Sequence, residues 1–211
     1  METSASALYS PAHMQQFTRF LSWANTLQVQ NAAIVYPRSD AELQSLVEYA
    51  SNQKGVYLRP LGNSHSLAPC VRDTNAPRAL LVSLQHYQHS DMPVLHVDRL
   101  TATATVMAEV RLYDINRMAL QQGLMLTTLS GIGDFTVAGF ISNCTHGSFY
   151  RNGLFSRCVE AVRVVGADGK IEWVDETNPV FRILLGGMGY FGFITHVKIR
   201  LQPAASLGAG V

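Results

Sequence analysis

Charge is scarce in this chain. Only 15% of its 211 residues are charged and the formal net charge is +1. No run of basic residues offsets that balance, which argues against non-specific binding to nucleic acid or to an anionic membrane surface. Cysteine is scarce as well. Cys70, Cys144 and Cys158 are odd in number and widely spaced, which fits neither a disulfide framework nor a zinc site and points to a reducing compartment. The seven histidines show no metal-like pairing at helical spacing, so no metal is expected, and His86, His89 and His96 read as surface or strand residues. No apolar run approaches the ~20 residues of a membrane span. The first fifteen residues carry neither a basic nor an apolar signal segment. Together these absences predict a cytoplasmic protein with no nucleic-acid and no membrane partner.

What is present is apolar: 47% of the residues are hydrophobic. A chain of this length buries roughly 70% of its unfolded surface, so a substantial core is expected. The organising stretch is Arg59-Pro60-Leu61-Gly62-Asn63-Ser64-His65-Ser66. Val56-Tyr57-Leu58 before it is a short buried strand by composition. Gly62 then frees the backbone, and Asn63, Ser64 and Ser66 are small and polar. Such a loop can turn a row of N–H groups inward and hold a phosphate without a metal. Two readings stand: a pyrophosphate-binding loop whose His65 faces a cofactor, or a polar turn with a solvated histidine.

In chain order, Ser10-Pro11 followed by Phe17, Phe20, Leu21 and Trp23 predicts a helix. Ala32 to Tyr36 predicts a strand, and Ser39 to Glu42 is a capping box opening a helix that Gly55 ends. Strands are predicted at 79–83, 94–97, 100–110 and 124–128, with a helix over 111–122. Cys158 to Val165 and Lys170 to Val174 form a hairpin across Asp168-Gly169. Asn178-Pro179 opens a helix to Leu185, and Phe193 to Leu201 is a last strand. About eight strands with four or five helices, mixed rather than alternating, give an α+β class. The Gly/Ala-rich tail, 204–211, reads as loose.

A second polar stretch runs Ser130-Gly131-Ile132-Gly133-Asp134-Phe135-Thr136-Val137-Ala138-Gly139. Thr136 can cap the segment 137–141, and a helix start after a Gly-rich loop favours an anion. Asn143-Cys144-Thr145-His146 follows. A long surface loop is the competing reading. Gly187-Met188-Gly189-Tyr190-Phe191-Gly192 has the letters of a dinucleotide fingerprint, but it follows a helix and precedes a strand, the reverse of what that motif requires. It reads as a tight turn. Gly62 to Ser66 likewise lacks the closing glycine and helix of a nucleophile elbow.

These motifs, in this order, resemble the FAD-binding domain of the vanillyl-alcohol oxidase / p-cresol methylhydroxylase (PCMH) flavoproteins, nearest the alditol and aldonolactone oxidase branch. The resemblance covers about residues 30–203. It implies a PCMH-type α+β fold of two sub-domains, 1–85 and 86–203, with FAD between them. It further implies that Pro60, Leu61, Gly62, Asn63, Ser64, His65 and Ser66 wrap the pyrophosphate. Ser130, Gly131, Thr136, Gly139, Asn143, Thr145 and His146 would line the diphosphate and isoalloxazine, and Ile194 would offer its backbone to the adenine. His65 matches the histidine that many members bond covalently to the flavin. The residue before that histidine is usually Gly in the family and is Ser64 here. Family members continue into a substrate-binding cap that has no counterpart in these residues.

The resemblance implies an FAD-dependent oxidoreductase acting on an alcohol, lactone or similar small molecule, with His65, Tyr150 and His146 as candidates for acid–base work. The alternative is a flavin-binding subunit or isolated domain whose cap comes from another chain or a homo-oligomeric partner, or is absent. A member that no longer binds FAD is disfavoured by the many small residues kept in both loops.

Overall fold

The computed structural model describes residues 14–25, 28–66, 78–147 and 152–204. Ten strands fall among them and pair into two sheets. The first contains β1 (Met14–Leu21), β2 (Gln28–Val35), β3 (Val56–Pro60) and β4 (Arg78–Val82) in the order β1-β2-β4-β3. β1 and β2 are antiparallel, while β4 runs parallel to both β2 and β3. The parallel pair β3–β4 is joined through chain outside the described residues, and the crossover from β2 to β3 is α1 (Asp40–Ser51). Ser39 caps α1 through its side chain, which accepts from Glu42 N, and Glu42 Oε2 in return accepts from Arg38 N. Leu43, Leu46 and Val47 are buried against the sheet, as the helical period predicts.

The second sheet has the order β5-β6-β10-β8-β9 and is antiparallel throughout. Its strands are β5 (Leu95–Asp98), β6 (Thr103–Met107), β8 (Val159–Val165), β9 (Ile171–Asp175) and the long β10 (Phe193–Pro203). β7 (Leu124–Leu126) pairs with the far end of β10. β10 is central and reads almost continuously buried from Phe193 to Val197, as a strand covered on both faces must. Helices α2 (Leu112–Gln121) and α3 (Val137–Ser142) cover one face, and α4 (Phe181–Leu184) precedes the turn into β10.

Each sheet has its own apolar core. The two meet where Met107, Ala108, Val165 and Phe193 of the second sheet pack with Val35, Leu46, Leu80 and Val82 of the first. A polar knot crosses the same junction. Asp40 at the start of α1 takes both Arg163 Nη1 (2.9 Å) and Nη2 (2.5 Å) from β8, and accepts from the Tyr87 hydroxyl. Part-buried and bidentate, this pair fixes the relative orientation of α1 and β8.

Three expectations are corrected. The segment 14–21 is a strand and not a helix: Phe17, Phe20 and Leu21 follow a helical spacing, but pairing with β2 (Phe17 opposite Ala32) overrides it. The expected start at Pro11 lies outside the described residues. The strand expected over 100–110 is confined to 103–107, because 99–102 turn, with Ala102 at φ +51°. The helix expected from Asn178 is one turn, Phe181–Leu184. The Asn178 side chain instead accepts from Val180 N in a local turn, and Gly186-Gly187 follow directly.

Candidate functional site

At the junction of the two cores lies a cavity of about 340 Å³, within the ~300–1,000 Å³ range of ligand sites. One wall is the loop after β3. Leu61 N donates to Val82 O at 2.8 Å and anchors the loop to the sheet. From Gly62 to Ser66 the backbone N–H groups find no acceptor among the described residues, and all five residues line the cavity. Ser64 stands at φ +61°, in the left-handed region, and this reversal turns successive N–H groups toward one side. Its carbonyl is held by Trp23 N at 2.8 Å.

The facing wall is the start of α3 and the turn 187–192. Thr136 is the N-cap of α3, but its side chain makes no capping hydrogen bond. It is wedged between two glycines: a Cβ on Gly62 would lie 2.5 Å from Thr136 Oγ1, and one on Gly139 would lie 2.9 Å from it. The expectation of a side-chain cap is thereby corrected. The helix start is also less open to an anion than its sequence implies. Val137 N donates to Val110 O (2.9 Å) and Ala138 N to Ala108 O (3.2 Å).

Arg59, 1% exposed, binds the two walls together. Its Nη2 donates to Met188 O at 2.7 Å and its guanidinium stacks 3.7 Å from the Tyr190 ring. Asn63 Nδ2 donates to Asp134 O at 2.8 Å, tying the first loop to the second. Two rings gather on His65, a residue of the cavity wall. Trp23 stacks on it at 5.3 Å between centroids, and Phe135 meets it edge-on at 4.9 Å. His65 Nδ1 is buried and has no hydrogen-bond partner. Elsewhere along the wall, Glu109 accepts from Leu84 N at 3.1 Å. Burial raises its carboxyl to about 7.

The structure thus brings Pro60, Leu61, Gly62, Asn63, Ser64, His65, Ser66, Thr136, Gly139, Asn143, Thr145 and Ile194 to one cavity. It does not bring Ser130, Gly131 or His146 into the wall. Ser130 Oγ closes a turn on Ile132, and the exposed His146 engages Gly147 O at 3.0 Å. Tyr150 and Cys70 lie outside the described residues. Sequence reasoning passed over Arg59, Glu109, Trp23, Phe135 and the turn 187–192. For Glu109 a signal existed: it is the one charge in the Thr/Ala/Val run 101–110. No Lys or Arg lines the cavity among the described residues. Nor is there, among them, a cluster of groups able to hold a metal or a helix long and apolar enough to cross a membrane.

The structure is a mixed α+β frame with a cavity at the junction of its two cores. The chain belongs to the FAD binding domain family, of PCMH type, which matches residues 31–175. It is 29% identical over 195 residues to the D-arabinono-1,4-lactone oxidase of Yarrowia lipolytica, covering 92% of this chain and 36% of that protein. The D-arabinono-1,4-lactone oxidase of Saccharomyces cerevisiae is 29% identical over 191 residues, 89% of this chain and 35% of that protein. The chain therefore spans about a third of the length of the curated relatives it matches. Among solved structures, cholesterol oxidase from Brevibacterium sterolicum superposes with a TM-score of 0.77 at 18% identity, over 92% of this chain and 39% of that one, and so shares the fold.

Proposed function

We propose that this chain holds FAD in the cavity and forms the flavin-binding part of an oxidase for a small alcohol or lactone. The observation that carries the reading is the loop from Gly62 to Ser66, which lines the cavity and whose backbone N–H groups find no acceptor among the described residues. A dinucleotide brings two negative phosphates. With no Lys or Arg in the wall among the described residues, backbone N–H groups are the counter-charge these residues offer. Bound FAD would supply the two-electron acceptor for a substrate carbon bearing hydroxyl and hydrogen. The chain's own part is to bind and orient it.

His65 is the residue we assign to covalent attachment. Its Nδ1 is unpaired and sequestered from water, a costly arrangement for a ring nitrogen unless a ligand engages it. Trp23 and Phe135 fix the ring plane. A reducing, cytoplasmic setting accords with the free thiols of Cys144 and Cys158. The relatives' names and the length of chain they add support a substrate-selecting part supplied beyond these residues or by a partner. At the cavity rim Met188 and Phe191 are about half exposed, an apolar edge suited to such a cover.

The test is acid precipitation of the purified protein after incubation with FAD. Yellow colour in the pellet, lost to the supernatant in His65→Ala, is expected. Absence of flavin from both fractions would overturn the cofactor reading. If flavin is present, bleaching by one class of alcohol or lactone is the expected sign of oxidase chemistry.

A further inference from the structure

Glu109 is a carboxyl group facing a cavity that we read as a site for a dianion, and among the described residues no cation lines that cavity. Its recorded hydrogen bond is from Leu84 N to Oε1, at 3.1 Å. No Lys or Arg lines the cavity among the described residues, and apart from Glu109 the one ionisable side chain in the wall is His65. A carboxyl left uncompensated in such a place needs hydrogen-bond donors from whatever occupies it.

The ligand's parts can be matched to the wall by chemistry. The rings of His65 and Phe135 in the wall, the first stacked on Trp23, suit a flat ring system. The N–H row of 62–66 suits phosphates, and a carboxylate beside those phosphates would repel them. Glu109 shares its stretch of wall with strand ends: Leu84 after β4, Ala108 after β6, and Phe193 and Ile194 at the start of β10. Ala108 N donates to Thr195 O at 2.9 Å and locks that stretch to β10. What remains of the dinucleotide is the adenosine half, whose ribose hydroxyls and purine amine are donors. A carboxylate accepting from a ribose is an established solution in other dinucleotide folds.

We propose that Glu109 recognises the adenosine half of the bound dinucleotide by accepting hydrogen bonds from it, and so selects FAD over FMN. This rests on the reading that the cavity holds FAD. Burial keeps the empty-site carboxyl near 7. Donors from the ligand favour its charged form, so binding at neutral pH releases part of a proton from this group.

The experiment uses His65→Ala protein stripped of flavin, so that binding is reversible, with and without Glu109→Gln. Gln keeps an acceptor for Leu84 N and the side-chain volume. Calorimetric titrations with FAD, ADP, FMN and inorganic pyrophosphate are run in two buffers of different ionisation enthalpy. Glu109→Gln is expected to weaken FAD and ADP about tenfold and to leave FMN and pyrophosphate unchanged. It should also abolish the proton release seen with ADP. Equal weakening of all four ligands would mean a structural role, and unchanged or tighter ADP binding would mean that Glu109 opposes the ligand. Either overturns the proposal. If FAD does not bind the parent protein, the reading of the cavity fails first, and that result is separate from any effect of Glu109.

Discussion

Arg59 donates its Nη2 to the carbonyl of Met188 at 2.7 Å. Arg59 lies in β3 of the first sheet and Met188 in the turn before β10 of the second, 129 positions apart, so this bond ties the two sheets together. Arg59→Ala removes a charge-assisted hydrogen bond and the stack on Tyr190, and should lower unfolding stability by about 3 kcal/mol. Urea denaturation measures it. Arg59→Lys restores the charge without the planar fork, so it should recover less than half of the loss. Full recovery by Lys would mean that charge alone holds the walls.

Ser64 occupies φ +61° where a side chain is unfavourable. Ser64→Gly removes that strain and should stabilise the protein by about 1 kcal/mol, read as a rise in melting temperature. The Trp23 N–H to Ser64 O bond is made by backbone and survives the change. Flavin binding should be retained. A fall in melting temperature would show that the serine hydroxyl contributes more than the strain costs.

The loop 60–66 was legible because its chemistry is local: Gly62, the small polar residues and His65 declare themselves within seven positions. Thr136 and Gly139 were legible as part of the same cavity, although the reason for Thr136 was not. Its hydroxyl serves as a spacer between Gly62 and Gly139 and leaves the helix uncapped. Arg59 and Glu109 were hidden because their partners, Met188 in the turn before β10 and Leu84 just after β4, are distant in sequence. The strand at 14–21 was misread for the same reason: pairing with β2 is a tertiary fact that apolar spacing does not carry.

Gly62 and Thr136 should behave as one unit. A Cβ at position 62 falls 2.5 Å from Thr136 Oγ1, so Gly62→Ala must displace that side chain and should cost about 2 kcal/mol. Thr136→Ala alone leaves a small void. Combined, the added methyl group fills the space the hydroxyl vacates. The double variant should be more stable than the sum of the singles by about 1 kcal/mol or more. Strict additivity in denaturation would show that the two do not touch in solution.

Glu109 and His196 should cancel in the pH dependence of the ligand-free protein. Burial raises the Glu109 carboxyl to about 7. Burial first, then the charge of Arg163, lowers His196 to about 4, and its Nε2 has no partner. Glu109 binds its proton more tightly when folded, so the stability it contributes is present at low pH and is lost as pH rises toward 7. His196 binds its proton less tightly when folded, so its contribution is present above 6.5 and is lost as pH falls toward 4. Between about pH 4.5 and 6.5 the folded chain gains one proton at Glu109 and gives one up at His196 relative to the unfolded chain, so these two slopes sum to nearly zero. Glu109→Gln removes one side of that balance. Its stability, measured by urea titration at each pH, should then rise with pH across this window more steeply than that of the parent, by about 1.4 kcal/mol per pH unit. Parallel profiles for parent and variant would show that the Glu109 carboxyl is already ionised in the folded protein.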